Sequence, residues 1–304
     1  MKFSKIKVER LTVNVGAEIH GVDLAKLSDA TFDEIHKAFL QYQVIFFRDQ
    51  ELTREQHLSF GRRFGTLHIH PAAPSPEGFP EIFRIEADAN STIDRDEVKR
   101  GKRVVAGNYW HSDVSCEDEP PLGSILYLRE VPEVGGDTIF ASMYAAYDAL
   151  SKPMKQFLAG LTAVHSGEHV YRGRYQKDEA RDRSAYGYQR ANNFPVSEHP
   201  VLRTHPETGR TALYVNAGFT THIKELEPDA SRAVLDFLFK HAQKPEFLCR
   251  FRWRKNSIAL WDNRCVQHYA VFDYFPALRY GDRVTVKGDK PYYMPTSTPP
   301  NAAP

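Results

Sequence analysis

The chain contains a His-x-Asp motif, formed by His111 and Asp113, and a distant histidine, His268, at the end of a polar stretch that begins at Trp261. Two imidazoles and one carboxylate can occupy one face of an Fe(II) octahedron. Three positions then stay open for a bidentate oxo acid and for dioxygen. The His-x-Asp spacing suits a strand or a strand end, because residues two apart point to the same side. His268 lies far along the chain, so we expect it to come from a neighbouring strand.

Two arginines, Arg279 and Arg283, follow His268 at distances of eleven and fifteen residues. A guanidinium group forms a planar, two-pronged pair with a carboxylate, and residues of equal parity on a strand face the same side. Basic residues in this register strengthen the metal-site hypothesis beyond what an isolated histidine would support. A zinc-dependent hydrolase would use the same His/Asp/His side chains, so the residues leave that alternative open. The lack of an H-E-x-x-H motif and of a cysteine cluster weakens it.

The composition excludes several functional classes. A formal net charge of +1 argues against a dedicated nucleic-acid binder, which needs a strong basic surplus. The three cysteines form no C-x-x-C motif and fit a reducing compartment. The N-terminus lacks an apolar signal core, and no window is long and apolar enough to span a bilayer. We therefore predict a cytoplasmic protein with no nucleic-acid or membrane partner.

Short strand-like runs dominate the chain, and a few amphipathic patterns predict helices. The run 247–254 alternates apolar and basic residues and predicts a half-exposed antiparallel strand. Capping boxes predict helix starts at Thr31 and Thr53, and further helical patterns run from Ser142 to Leu150, from Met154 to Leu161 and from Pro228. The other predicted strands cover 44–47, 81–86, 122–128, 138–141, 201–204, 212–216, 257–261 and 283–287. This pattern predicts a mostly β fold with flanking helices, either a sandwich or a barrel.

Two long polar segments, 87–103 and 168–200, interrupt this pattern. Long loops inside a compact enzyme are usually lids over a site or disordered inserts, and both interpretations stay open here. The Pro-rich end, 296–304, predicts a disordered tail. A chain of 304 residues is long enough for one large domain or two small ones, and we predict a single domain over 1–295.

Several motifs resemble the TauD/TfdA family of Fe(II)- and 2-oxoglutarate-dependent dioxygenases. The matching stretches are Trp-His-Ser-Asp-Val at 110–114, Gly-Gly-Asp-Thr at 135–138, Trp-Asp-Asn-Arg at 261–264, Gln-His-Tyr-Ala at 267–270 and Arg-Val-Thr at 283–285. They occur in the family's order and spacing, and the resemblance extends to about Pro295. The taurine dioxygenase branch is the most similar. The resemblance implies a double-stranded β-helix (jelly roll), Fe(II) as the metal, 2-oxoglutarate and O2 as co-substrates, and a homo-oligomer, either a dimer or a tetramer.

The resemblance also implies roles for individual residues. The iron ligands would be His111, Asp113 and His268. The distal carboxylate of 2-oxoglutarate would be bound by Thr138 and Arg279. The anionic head of the substrate would be held by His70 and Arg283, and Phe219 would line the site.

The chain departs from the taurine pattern at two positions. Taurine-type members usually carry a tyrosine where this chain has Ala73 and an asparagine where it has Gly107. Both changes remove polar groups and volume, so we expect a larger tail site. The favoured substrate is a sulfonate or an alkyl sulfate, whose hydroxylation releases sulfite or sulfate plus an aldehyde, with succinate and CO2. An aryloxyalkanoic acid or another carboxylic acid is the alternative.

Overall fold

The computed structural model describes residues 3–70, 75–94, 100, 103–171 and 194–295, and within these ranges it is mostly β with few helices. The strands, in chain order, are β1 Lys7–Arg10, β2 Ala17–His20, β3 Val44–Phe47, β4 Leu67–His68, β5 Ile82–Ala87, β6 Ser91–Thr92, β7 Arg103–Val104, β8 Gly123–Glu130, β9 Thr138–Ser142, β10 Thr162–Ser166, β11 Val196–Pro200, β12 Leu202–Thr204, β13 Thr211–Leu213, β14 Thr220–Ile223, β15 Leu248–Phe251, β16 Ser257–Asp262, β17 Val266–Ala270 and β18 Arg279–Val286.

Helices connect and cover these strands. They are α1 Asp29–Tyr42, α2 Arg54–Arg62, α3 Met143–Asp148, α4 Lys152–Leu158, α5 Glu168–Tyr171 and α6 Pro228–Ala242, with 3-10 turns at Leu24–Lys26 and Pro245–Phe247. Within the described ranges, no helix combines the length and the apolar character that crossing a bilayer requires.

The largest sheet runs in the order β1-β2-β3-β16-β8-β18, and both β4 and β5 pair with β18. Only the β2–β3 pair in this sheet is parallel. Both faces are covered, which explains why β3 is an uninterrupted apolar run. Val44 and Phe46 lie in one core cluster, whereas Ile45 and Phe47 lie in the cluster packed against α1 and α2.

A second sheet, in the order β15-β9-β17, packs on the first face of the large one. Phe46 of the large sheet stacks on Phe251 with ring centroids 3.8 Å apart, and Trp261 lies 5.7 Å from Phe140. The second sheet presents β9 and β17 towards β18 of the first. Thr138 lies on β9, His268 on β17, and Arg279 and Arg283 on β18, so these four side chains can meet in the space between the two sheets.

All nine predicted strands overlap observed strands, with their ends shifted by a few residues. The prediction of a half-exposed strand at 247–254 is confirmed, because Cys249 and Phe251 are buried and Arg250, between them, is exposed. The observed strand is shorter, Leu248–Phe251. Helices at Thr53, at Ser142 and from Pro228 are also confirmed, and Thr53 forms the full capping box with Gln56.

Two helix boundaries were wrong. The first helix is capped by Ser28 rather than by Thr31, and the Ser28 hydroxyl accepts the Thr31 backbone N–H at 3.2 Å. Glu34 is not available for a box with Thr31, because its carboxylate accepts backbone N–H groups of the N-terminal segment. The helix expected from Met154 begins earlier, behind a Ser151 cap, and ends at Leu158.

The two polar segments expected to be free of strands contain short elements where they are described. Strand β6 lies within 87–103 and its partner β7 begins at the last residue of that segment, while α5 and β11 lie at the two ends of 168–200. The prediction of lids or inserts otherwise falls on residues outside the described ranges, as does the predicted tail at 296–304.

A buried ionic network fixes the turn between β16 and β17. Arg264 donates to both oxygens of Asp262 at 2.8 and 2.7 Å, and to Glu207 at 2.8 Å. His205 donates to Asp262 at 3.0 Å. Burial opposes ionisation, yet the charge and hydrogen bonds of Arg264 and the bond from His205 hold the pKa of Asp262 below its ordinary value. The network therefore secures the turn that leads into the strand carrying His268.

Replacing Asp262 by alanine leaves the buried Arg264 without its main partner and is expected to lower the free energy of unfolding by about 3–5 kcal/mol. The contribution of Asp262 is present above its unfolded pKa of about 3.9 and declines as the pH falls below that value. Urea unfolding at several pH values measures both effects. Glu198→Ala, which breaks the exposed pair with Lys224, is the control, and an equal loss in the two variants would contradict this role.

Candidate active site

Backbone pairing brings His111, Asp113 and His268 together. His111 and His268 form an antiparallel bridge with N–H···O distances of 3.1 and 2.8 Å, and their rings lie 4.1 Å apart. His111 Nε2 lies 3.7 Å from Asp113 Oδ1. One potential ligand atom from each of the three lies within 4.8 Å of the others. His111 is thus an isolated bridge residue in an otherwise irregular segment, and Asp113 lies in the turn that follows, so the strand or strand end expected here is not present. The third member does come from a strand, β17, as expected.

Both oxygens of the buried Asp113 are engaged. Arg283 Nη1 donates to Oδ1 at 2.6 Å, and Ser124 Oγ donates to Oδ2 at 2.6 Å. Asn263 accepts the Asp113 backbone N–H at 3.3 Å and donates to Ser124 at 3.0 Å. Burial would raise the pKa of Asp113, but Arg283, His268 and His111, together with the Ser124 bond, hold it well below the ordinary value. The carboxylate is therefore ionised and held in one orientation.

The imidazoles are in the state that a metal requires. His111 Nδ1 lies 2.8 Å from the Tyr109 carbonyl, which can only accept, so Nδ1 carries a proton and Nε2 is the ring nitrogen that can serve as a metal ligand. Burial and the neighbouring His111 lower the pKa of His268 well below its ordinary value, so His268 is neutral. Trp261 packs against His268 with ring centroids 4.7 Å apart. Neutral nitrogen donors beside an ionised oxygen fit a divalent metal such as Fe(II).

A second group of potential ligands among the described residues, His205, Asp262 and Cys265, does not fit a metal. His205 Nδ1 accepts backbone N–H groups of Glu207 and Thr208, and its Nε2 donates to Asp262. Asp262 is itself held by Arg264, and burial raises the pKa of the Cys265 thiol well above its ordinary value. This group is a closed hydrogen-bonded network.

The triad opens onto a cavity between the two sheets. The lining is largely apolar, with a few convergent polar groups, which is typical of a small-molecule site. The cavity is lined by His70, Phe83, Ile85, Ala106, Gly107, Tyr109, His111, Asp113, Val114, Leu126, Thr138, Tyr171, Phe219, Trp261, His268, Ala270, Arg279 and Arg283. Every site residue expected from the sequence is on this wall.

Arg279 carries a buried charge that no carboxylate in the described ranges pairs with. Its Nε donates to the Gly136 carbonyl at 3.0 Å, whereas its Nη2 is buried and has no hydrogen-bond partner among the described residues. Thr138 lies nearby and accepts the Trp253 indole N–H at 3.0 Å, and the guanidinium lies 5.6 Å from that ring. Burial lowers the pKa of Arg279 from its ordinary value. A buried guanidinium of this kind provides a site for an anion.

Arg283 and His70 also line the cavity, and both pack against Phe83. The guanidinium lies 4.7 Å and the imidazole 4.8 Å from the Phe83 ring. Burial, with Arg283 and His68 nearby, lowers the pKa of His70 well below its ordinary value. Arg283 Nε is buried and has no hydrogen-bond partner in the described part of the chain, although Nη1 donates to Asp113. This part of the cavity therefore offers a second anion-binding group.

Of the two positions that depart from the taurine pattern, Ala73 lies outside the described residues and Gly107 lines the cavity. Gly107 has φ +81°, and a Cβ there would lie 3.3 Å from His111 Cε1 and 3.5 Å from Ala270 Cβ. A side chain at this position would crowd the first residue of the triad, so glycine lets the backbone pass close to His111.

The sequence interpretation missed the residues that support the ligands. Asn263 lies within the Trp-Asp-Asn-Arg motif, so its place in that motif could have identified it as a supporting residue. Ser124 lies in the apolar run of β8, and nothing in its neighbourhood marks it as a partner of Asp113. Tyr109 acts through its carbonyl, which no side-chain pattern can reveal.

Comparisons with known proteins agree with this site. The family model for taurine catabolism dioxygenase TauD, TfdA family, matches residues 7–285. An alpha-ketoglutarate-dependent sulfonate dioxygenase of Saccharomyces cerevisiae is 34% identical over 296 residues, which cover 94% of this chain and 68% of that protein. An alkylsulfatase of Acinetobacter baylyi is 34% identical over 287 residues, covering 94% of this chain and 86% of the relative.

Solved structures give the same result. A crystal structure of a taurine dioxygenase from Burkholderia xenovorans superposes with a TM-score of 0.77 at 35% identity, covering 95% of this chain and 91% of the other. Members of this family use Fe(II), 2-oxoglutarate and O2, and the buried His/Asp/His group provides a site of the required type. From its motifs, its site and these matches, the chain belongs to the TauD/TfdA family of 2-oxoglutarate-dependent dioxygenases.

Proposed function

We propose that this enzyme oxidises an organic sulfonate or an alkyl sulfate, with the roles of its site residues as follows. His111, Asp113 and His268 hold Fe(II). Arg279, with Thr138, binds the distal carboxylate of 2-oxoglutarate. The substrate is held by His70, Arg283 and Phe219.

The observation that carries this proposal is the unpaired charge of Arg279 in the same cavity as three neutral or anionic metal donors. A buried cation costs free energy unless an anion compensates it. The distal carboxylate of 2-oxoglutarate can make that pair while the other end of the molecule reaches the metal. Thr138 adds a hydroxyl on the same wall.

When bound, Fe(II) would supply the oxidising chemistry, in which O2 and 2-oxoglutarate are consumed and succinate, CO2 and a hydroxylated substrate are formed. Hydroxylation at the carbon attached to the sulfonate sulfur, or to the sulfate ester oxygen, gives an adduct that collapses to an aldehyde plus sulfite or sulfate. The protein orients the substrate and excludes water. Arg283 and His70 line the cavity together with Asp113, where an anionic head would place its neighbouring carbon near the metal.

The rest of the wall favours an apolar tail over an ammonium group. Phe83, Leu126, Val114 and Phe219 line the cavity, and Gly107 contributes no polar side chain to it. The ammonium group of taurine would lose its hydration in this cavity and would find no carboxylate partner, because Asp113 is already paired with Arg283. The similarity to a sulfonate dioxygenase and to an alkylsulfatase supports the same substrate class.

Three finer expectations complete the proposal. The packed sheets, together with the likeness to the taurine dioxygenase structure, support a double-stranded β-helix over the residues 1–295. We expect a homodimer or homotetramer, which light scattering measures. We also expect a cytoplasmic location, which agrees with three buried free cysteines.

His111→Ala and His268→Ala each remove a nitrogen donor and are expected to abolish 2-oxoglutarate-dependent succinate formation and to reduce the iron bound per chain. His241→Ala is the matched control, since His241 is also buried but bonds to the Ala146 carbonyl away from the cavity. Iron analysis and a succinate assay on purified variants measure both outcomes. Full turnover in the His268 variant would contradict its assigned role.

Arg279→Ala removes the charge that receives the distal carboxylate. The concentration of 2-oxoglutarate for half-maximal turnover is expected to rise about 10- to 100-fold, because a charge-assisted pair is lost. Arg84→Ala, on the adjacent strand with a partly exposed side chain, is the control and should change this concentration little. Equal behaviour of the two variants would exclude Arg279 from co-substrate binding.

Among linear alkyl sulfates and sulfonates, kcat/KM is expected to rise with chain length, by up to about fourfold for each methylene that the apolar wall buries. Steady-state assays of sulfite or sulfate release test the series against taurine. A clear preference for taurine would contradict the apolar tail site. A preference for an aryloxyacetate, measured in parallel by succinate formation, would contradict the sulfonate or sulfate class.

A further inference from the structure

Four buried polar side chains support the turn that carries Asp113. They are Ser115, His165, Asn216 and Thr220, and we call them the brace. Asn216 Nδ2 donates to Ser115 Oγ at 2.9 Å, and Ser115 Oγ lies 3.0 Å from His165 Nδ1. The other ring nitrogen, His165 Nε2, lies 3.2 Å from Thr220 Oγ1. None of the four is among the described residues that line the cavity, so they reach the site only through other residues.

The backbone at Val114 requires such support. Val114 lies between Asp113 and Ser115 and has φ +48°, a left-handed conformation that is an outlier for a β-branched residue. Such strain is unfavourable and persists only when the surroundings enforce it. Arg283 and Ser124 hold the Asp113 side, and the brace holds the Ser115 side. The strained residue thereby sends Asp113 towards the cavity and Ser115 away from it.

His165 is suited to joining the parts of the brace. It lies on β10, whose two edges pair with β11 and β14, so its position is fixed by strands on both sides. A neutral imidazole offers one donor and one acceptor and can bridge two hydroxyl groups. Burial and the neighbouring His199 lower the pKa of His165 well below its ordinary value, which keeps the ring in this neutral form.

The loop that begins at Asn216 also reaches the other end of the metal-binding motif. Gly218 N–H donates to the Trp110 carbonyl at 2.9 Å. A Cβ on Gly218 would lie 2.8 Å from His111 Cβ and 2.8 Å from Tyr109 Cε2, so the backbone packs directly on the first ligand. The same loop therefore contacts the segment that carries the motif at two places, His111 and Ser115.

We propose that His165 is a positioning residue for the metal centre: through Ser115 it fixes the strained turn at Val114 and so the orientation of Asp113. The inference rests on the proposed function, because it assumes that Asp113 binds the metal. Without the bond to Ser115, the turn can relax at Val114 and Asp113 loses its preset direction. Metal affinity then falls although the ligands themselves are unchanged.

Two substitutions of similar size separate positioning from packing. In His165→Asn the amide lies near the place of Nδ1 and can keep the bond to Ser115. In His165→Gln the amide reaches the place of Nε2, near Thr220, and the bond to Ser115 is lost. Ser115→Ala removes the same bond from the other side and should behave like the glutamine variant.

The measurement is anaerobic titration with Co(II) in the presence of 2-oxoglutarate, followed by the absorption spectrum of the bound metal, together with thermal unfolding. We expect about a tenfold or greater loss of Co(II) affinity and an altered spectrum for His165→Gln, and near wild-type values for His165→Asn. The two variants should unfold at similar temperatures. His241→Asn also removes a buried imidazole, and it should lower the unfolding temperature without changing the Co(II) affinity or the spectrum.

Wild-type affinity and spectrum in His165→Gln, or equal losses in the two variants, would overturn the inference and leave His165 a packing residue. Absence of Co(II) binding by the wild-type protein would instead overturn the proposed function, and the inference with it. The wild-type titration therefore distinguishes the two failures.

Discussion

The two backbone hydrogen bonds between His111 and His268 are the contact on which the site depends. They attach an otherwise irregular segment to the edge strand β17 and place two imidazoles side by side. Asp113 follows two residues later, and its position is then decided by the turn at Val114. The site is thus built on a strand that the ionic network of Asp262 and Arg264 secures at its start. The metal donors are preorganised because backbone pairing, rather than side-chain packing alone, sets their separation.

The two arginines of β18 show how one strand can serve two purposes. Arg279 and Arg283 have the same parity and face the same cavity. Arg283 pairs with Asp113 at 2.6 Å, whereas no carboxylate in the described part of the chain pairs with Arg279. A charge that is already compensated can orient a ligand, while an uncompensated one favours binding of an anion from solution. This difference supports the proposal that Arg279 binds the co-substrate carboxylate and that Arg283 binds the substrate head.

Sequence patterns predicted the strands that bury apolar residues, such as β3 and β16, because alternation or a continuous apolar run marks them. They did not mark β17, whose Val266–Ala270 segment contains the polar Gln267 and His268. Strands that line an active site carry polar residues inward, so the usual pattern breaks where function is located. The meeting of His111, Asp113, His268 and the two arginines in one cavity was predictable because their types and spacing are tied to the proposed chemistry. Ser124 and His165 were not, since a supporting hydrogen bond depends on tertiary contacts that leave no local signal.

The central claim is that one metal ion, bound by His111, Asp113 and His268, shares a cavity with a 2-oxoglutarate site at Arg279. A crystal structure of the protein with Mn(II) and the analogue N-oxalylglycine tests this most directly. We expect all three side chains to coordinate the metal, the oxalyl end of the analogue to chelate it, and the distal carboxylate to pair with Arg279. A metal bound elsewhere, or an analogue whose distal carboxylate does not contact Arg279, would contradict the account.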